Sequence, residues 1–267
     1  MKKISYFAVV LAAMAFTACG GNKSAKEAEQ TEEEKNFEQE QVEAKIKLEI
    51  DSLSAEIARL KKLPILQAGE NGLQLTEEER QVKPDYLLSP SVAENATTLA
   101  EKYRALSALC VDKQVAAMYD MPTDEYQAAI SKLAADIDDP SFKEIEDVSN
   151  IHETSQKLYD AMNANGRINY FWQMVAGALI EEFYVMSQNT DKFITAFDDE
   201  SATSTTFRIV LLNEATTRLA SYDPEFETVA QVAETLEPLD AITVDQLKQQ
   251  LEETKERVAE TRNELIK

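Results

Sequence analysis

The stretch INYFWQMVAGALIEEFYVM, residues 168–186, decides how this chain must fold. Wound as a helix, it carries Tyr170, Phe171, Trp172, Val175, Leu179, Ile180, Phe183, Tyr184 and Val185 around most of its circumference. A helix that is apolar nearly all round is buried, so this segment is expected at the centre of a bundle. Glu181 and Glu182 interrupt it, which argues against a membrane span. The pair is expected on the one exposed strip of that helix. The competing reading is a polar site inside the bundle, with Tyr184 or Arg208 as neighbours, because a buried carboxylate is costly unless paired. Trp172, with Phe171 and Tyr170, reads as core packing; an aromatic ligand platform is the alternative.

The flanks of that segment are helical too. Only Gly69, Gly72, Gly166 and Gly177 follow Gly21, while alanine, leucine, glutamate and lysine, all strong helix formers, are abundant. Strand-type alternation of β-branched residues is nearly absent. The fold class is therefore all-α, an elongated multi-helix bundle with long coiled-coil-like helices at both ends. Upstream of the central segment, one helix is expected from Ser89 or Ser91 to Ala117 or Met118, with Pro90 in its first turn. Thr123 caps a short helix through Ile137. Asp139-Pro140 opens a fourth, carrying Phe142, Ile145, Val148, Ile151, Leu158 and Met162 and closing at Asn165-Gly166. Downstream, Ser201 caps a helix with Phe207, Val210, Leu211, Ala215 and Leu219, and Asp223-Pro224 opens a shorter one with Phe226, Val229, Val232 and Leu236. Tyr119-Asp120 and Tyr222-Asp223 each stand before a short helix, a faint sign of duplication.

The two outermost helices differ from the rest. Val42, Ile46, Ile50, Leu53, Ile57 and Leu60 are spaced by three or four residues on an otherwise charged helix, and Pro64 ends it. Thr243 and Gln246 start the other, whose seam is Leu247, Leu251, Thr254, Val258, Thr261 and Leu265. Narrow seams of this kind suit coiled-coil contacts. Residues 41–63 and 243–267 are thus expected to pair as an antiparallel stalk, with 64–242 as the bundle. Residues 64–90, with Pro64, Gly69, Gly72, Pro84 and Pro90, form the longest irregular connection. Ile65, Leu66, Leu73 and Leu75 give it enough apolar surface to pack down.

The start of the chain addresses a compartment. Lys2 and Lys3 precede a short apolar run that ends Phe16-Thr17-Ala18-Cys19. Such a run is too short for a permanent span, which needs roughly 20 apolar residues, and reads as an export leader over residues 1–18. The last four residues resemble the lipobox of bacterial lipoproteins, with Phe16 where leucine is usual. That resemblance implies lipidation of Cys19, cleavage before it, and anchoring to a membrane by acyl chains. Residues 19–40 then form an acidic tether to a helical domain over 41–267. No aspartate follows Cys19, and an early acidic run is missing, so the outer membrane facing the periplasm is expected, with the cell surface as the alternative. In general character the chain is similar to helical lipoproteins of gut Bacteroidetes.

Composition removes several functions. A formal charge of −22 opposes nucleic acid and anionic headgroups. With Cys19 lipidated, Cys110 has no partner within the chain, and its neighbours Leu106, Leu109 and Val111 read it as a buried thiol. His152 is the single histidine, which removes paired-histidine zinc sites and di-iron bundles. Neither a nucleophile elbow nor a phosphate loop is present. The acidic groups Asp136-Ile137-Asp138-Asp139 and Asp198-Asp199-Glu200 read as solvated helix ends rather than calcium sites. The expectation is a non-enzymatic binding or scaffold module, without catalytic residues, metal or cofactor, that engages an envelope protein or a second copy of itself. The alternative is a small-ligand or glycan-binding bundle with a pocket near Trp172.

Overall fold

The computed structural model describes residues 32–60, 62–67, 72–145, 147–150 and 154–266, with side chains from residue 44 onward. The leader over 1–18 and most of the tether lie outside them. The described residues are all-α, without strands, and form a helical bundle. In chain order the helices are α1 (Glu32–Arg59), α2 (Glu77–Gln81), α3 (Val92–Asn95), α4 (Leu99–Met118), α5 (Asp124–Ile137) and α6 (Ser155–Ala164). There follow α7 (Ile168–Gln188), α8 (Thr190–Phe193), α9 (Asp199–Ala220), α10 (Glu227–Glu234) and α11 (Val244–Leu265).

The segment that decided the fold is α7, and it occupies the position its composition demands. Trp172, Ala176, Ile180, Phe183, Val185 and Met186 are fully buried. Helix α4 lies along one side of it and α11 along another, with α6 and α9 completing the surround. Gly177 sets how close α4 comes. A Cβ there would stand 2.5 Å from the Arg104 carbonyl oxygen and 2.6 Å from Ser107 Oγ. Only a residue without a side chain lets the two backbones approach this closely.

The seam expected on α11 is the buried face observed. Leu247, Leu251, Thr254, Val258, Thr261 and Leu265 are all buried. On α1, Ile50 and Ile57 are buried as expected, and Ser54 and Ala58 join them, so the face turned inward is broader than a narrow seam. The bonds of α1 run to α6, α7 and α9. Tyr159 donates to the Asp51 carbonyl, Ser155 to the Ala58 carbonyl, Trp172 to Ser54, and Arg218 pairs with Glu49. Those of α11 run to α4, α7, α8, α9, the segment before α3 and the residues after α10. Among the described residues no hydrogen bond or ion pair joins α1 to α11.

Several boundaries differ from the sequence reading, each for a local reason. The helix expected to run unbroken from Ser89 or Ser91 stops after Asn95, where Ala96 is extended, and restarts as α4. Thr98 and Glu101 make a reciprocal capping box there, and Glu101 also accepts from the Thr97 amide and hydroxyl. These bonds hold the Glu101 carboxyl down at about 2. The helix expected from Asp139-Pro140 gives only a 3-10 turn over Pro140–Glu144, another over Val148–Asn150, and then α6. Asp147 takes the Ser149 amide and hydroxyl and the Asn150 side chain, a turn that competes with helix. Ser201 is not the cap of α9. Asp198 is, and Ser201 closes the box from inside the first turn. Thr123 stands at the N-cap of α5 without a side-chain bond. Within 64–90, Ile65, Leu66, Leu73 and Leu75 are buried, and a Thr76–Glu79 capping box builds the unanticipated α2. The two Tyr-Asp pairs are not equivalent. Asp120 has a left-handed φ of 51°, whereas Asp223 is extended and caps a 3-10 turn through the Glu225 amide.

Candidate functional site

Two polar clusters meet the central helix, and they use the two adjacent glutamates in opposite directions. Neither glutamate lies on an exposed strip: Glu181 is 0% exposed and Glu182 4%. The expectation of exposure fails because α7 has no solvent-facing side at that level. Helices α4 and α11 cover one flank, and α1, α6 and α9 the other.

Glu181 faces α4 and α11. Arg262 grips it with both ends of its guanidinium, Nε to Oε2 at 2.7 Å and Nη2 to Oε1 at 2.8 Å. The same guanidinium lies 3.9 Å from the Tyr184 ring centre and donates to the Tyr86 carbonyl. Such a planar fork on a carboxylate and an aromatic face is a task for arginine rather than lysine. Asp112 of α4 is the third member. Its Oδ2 accepts from the Leu88 amide at 2.7 Å and stands 4.0 Å from Arg262. Its Oδ1 is buried and accepts no hydrogen bond. Burial and the adjacent Glu181 charge drive the Asp112 carboxyl well above the usual range. Burial raises Glu181 as well, against the pull of its bonds to Arg262, so one proton held by the Asp112–Glu181 pair balances the single Arg262 charge and leaves the cluster neutral.

Glu182 faces the other way, into a cleft between α1, α6, α7 and α9. The cleft has a volume of about 90 Å³. Its walls are apolar and include Ile57, Leu158, Phe171, Val175 and Leu179, while Glu182, Arg208, Lys62 and Ser155 supply its polar groups. Arg208 is 8% exposed. Burial raises the Glu182 carboxyl to about 7, against the opposing pull of the Arg208 charge. An apolar cavity with a few convergent polar groups and a shifted titratable group is the usual form of a ligand pocket.

No family model, curated protein or solved structure matches the chain.

The remaining candidates sort as follows. Trp172 is fully buried, and its Nε1 donates to Ser54 Oγ at 2.8 Å, which in turn donates to the Ile50 carbonyl. It braces α1 on α7, and its neighbour Phe171, not Trp172, faces the cleft. Tyr170 stacks on Tyr103. Cys110 is buried, and burial pushes its thiol well up, away from the reactive thiolate. Asp139 is also buried, accepting from Tyr103 and the Ser141 amide, and Asp198 is a helix cap. Among the described residues no group of three or more metal-ligating side chains converges, and no helix is long and apolar enough to cross a membrane. Cys19 and His152 lie outside the described residues.

Sequence reasoning named Tyr184 and Arg208 as the company the glutamates would keep if buried. Arg208 shares the cleft with Glu182, and Tyr184 joins the Glu181 cluster through the Arg262 guanidinium. It missed Asp112 and Arg262. Asp112 had a signal of the same kind as Glu181, a lone acid inside the apolar run Leu109-Cys110-Val111. Arg262 had none, since it sits on a helix whose other positions are nearly all charged or polar.

Proposed function

We propose that the chain is a non-enzymatic binding protein of the cell envelope, anchored by lipid on Cys19, and that its cleft accepts a small amphipathic ligand. One observation carries the binding reading: apolar walls from Ile57, Leu158, Phe171, Val175 and Leu179 share one cleft with the buried Glu182 and Arg208. Charged groups held out of water beside an apolar cavity are costly to maintain, and a ligand that meets both surfaces gives them a use. Cys110 supports no nucleophilic chemistry, because burial raises its thiol more than the nearby Lys113 charge lowers it.

A second reading, a scaffold for an envelope protein or a second copy, is favoured by an apolar strip outside the cleft. Phe207 and Val210 are 41% and 48% exposed on one face of α9, and Ile242, 62% exposed, lies beside them through the bond from Thr203 to its carbonyl. The anchor reading carries over to either function, with the outer membrane facing the periplasm as the location and the cell surface as the alternative.

The test is extraction of small molecules from the native lipidated protein, with Ala178→Phe as the control that fills the cleft. A compound that is enriched with the native chain and lost from Ala178→Phe supports the reading. Equal recovery from both removes it. Unchanged membrane fractionation of Cys19→Ala would sink the anchor.

A further inference from the structure

On its outer side the Asp112–Glu181–Arg262 cluster is bordered by the chain between α2 and α3 rather than by a helix. None of residues 81–91 is buried, whereas Asp112 and Glu181 are both 0% exposed. The Val82 amide closes α2 on the Glu79 carbonyl, and the Ser89 carbonyl takes the Val92 amide that starts α3. Among the described residues, no backbone group of 83–88 bonds to another backbone group. Side chains hold this segment instead. Arg262 donates to the Tyr86 carbonyl at 3.2 Å, the Leu88 amide donates to Asp112 Oδ2 at 2.7 Å, and Tyr126 donates to the Leu88 carbonyl at 2.9 Å. Lys83 adds a bond to the Tyr119 carbonyl. Two of the three bonds to its backbone thus come from the cluster itself. An exposed segment bonded to buried side chains lies between them and water. With few buried contacts and no backbone ladder, it is the kind of element that opens locally.

The charge of the cluster depends on one proton. Asp112 Oδ1 accepts no hydrogen bond, which leaves it to carry the proton and donate it to Glu181. The other groups that face the pair are Arg262 from α11, Tyr184 from α7, Tyr126 from α5 and Tyr86 from the segment. Asp85, Tyr119 and Glu125 stand beyond the tyrosines. Burial pushes the Tyr86 and Tyr126 hydroxyls up, so both stay neutral. Arg262 is then the single cation against two carboxyls. Without the proton, one negative charge is left buried and uncompensated, and water relieves it. The element that moves most easily to admit water is 83–88, since α4, α7 and α11 each carry a buried apolar face.

We propose that residues 83–88 are a proton-operated strap: one proton shared by Asp112 and Glu181 keeps it closed, and loss of that proton opens it while the helices stay packed. The strap is independent of the cleft at Glu182. The direction follows from the closed state. There burial raises Asp112 well above its ordinary 3.8, and an opened, hydrated carboxyl returns towards that value. The closed strap therefore binds the proton more tightly than the open one. Closure has its full strength below 3.8 and weakens about tenfold for each pH unit above it. It levels off once the closed cluster also loses its proton.

Amide hydrogen exchange of the full chain, followed residue by residue by NMR from about pH 5 to about pH 8, tests the proposal. Rates are divided by those of an unstructured peptide at the same pH, so that only the opening equilibrium remains. The Leu88 amide is expected to be at least about a hundredfold less protected than that of Ile180 in α7, and to lose about tenfold in protection per pH unit. Asp112→Asn, neutral at every pH and still an acceptor for Leu88, is expected to keep Leu88 protected and to abolish the fall. Glu182→Gln, outside the cluster, is expected to leave the fall in place. Tyr126→Phe removes an uncharged bond to the same segment, and is expected to lower Leu88 protection by one factor at every pH. A fall that persists in Asp112→Asn overturns the strap. If Asp112→Asn does not fold, the native chain decides: a flat Leu88 profile, or a Leu88 amide as protected as Ile180, overturns it equally.

Discussion

Arg262 holds both oxygens of Glu181, at 2.7 and 2.8 Å, although 81 residues separate them along the chain. The contact ties α11 to α7 inside the bundle, where both groups are buried. Breaking such a pair from one side leaves an uncompensated charge and costs about 3–5 kcal/mol. Arg262→Met is expected to lose stability in that range, read as a lower midpoint in urea. Glu181→Gln with Arg262→Met, which removes both charges, is expected to recover part of the loss. A double variant no more stable than Arg262→Met would show that packing of the Arg262 stem, not charge, is what the site requires.

Burial raises both Asp112 and Glu181, and only Glu181 has Arg262 bonded to it, so the proton is expected on Asp112. Asp112→Asn replaces a protonated carboxyl with a group of the same shape and charge, and its stability is expected to stay within about 1 kcal/mol of the parent. Glu181→Gln removes the charge that Arg262 faces and is expected to cost more. Chemical denaturation of the two single variants side by side decides it. The reverse order would place the proton on Glu181.

Stability should fall as pH rises across the weakly acidic range. Glu182 has an ordinary value of 4.5, and in the folded chain it is raised to about 7. The folded state therefore binds more protons than the unfolded one between these values. Its contribution is complete below 4.5 and lost as pH rises through about 7. For a fully buried group this amounts to roughly 3 kcal/mol. Asp112 shifts in the same direction. Urea midpoints measured from pH 4.5 to about 8 are expected to decline in the parent and to decline less in Glu182→Gln. Parallel curves would refute the assignment.

Gly177 fixes the distance between α4 and α7. Gly177→Ala would usually help a helix by about 1 kcal/mol. Here the added carbon meets the Arg104 backbone at 2.5 Å, and α4 must move. A net loss of about 1–3 kcal/mol is expected, read as a lower Tm. A raised Tm would mean that the two helices separate at little cost.

Cys110 should be silent to thiol reagents in the folded protein. Its sulfur is buried and contacts the Val148 carbonyl at 3.5 Å. Labelling of the Cys19→Ala form is expected only at denaturant concentrations that unfold the bundle. Rapid labelling in buffer would show that the segment around Val148 opens on its own.

Much of the fold is legible because burial follows periodicity. The seam of α11 and the all-round apolar character of α7 are visible in the sequence and appear as buried surface. The starts of α4, α6 and α9 are harder to read. Each depends on a polar residue choosing between helix and turn, such as Thr98, Asp147 or Asp198, and more than one neighbour could have served. The candidate site was half visible. Glu181 and Glu182 stood out as charges in an apolar run, and the stripe alone suggested an open side for them. Whether α7 had such a side depended on helices far away in sequence, and a periodicity argument holds no information about them. Arg262 was invisible for the same reason: its role is given by what lies opposite.

The pairing of Glu181 with Arg262 also ties the last helix to a proton. Until α11 docks, Glu181 inside a collapsed core would have no counter-charge across the 81 residues that separate it from Arg262. A buried carboxyl in that state takes up a proton rather than staying ionised. Docking of Arg262 would then release it, so the final closure of the bundle is a proton-releasing step.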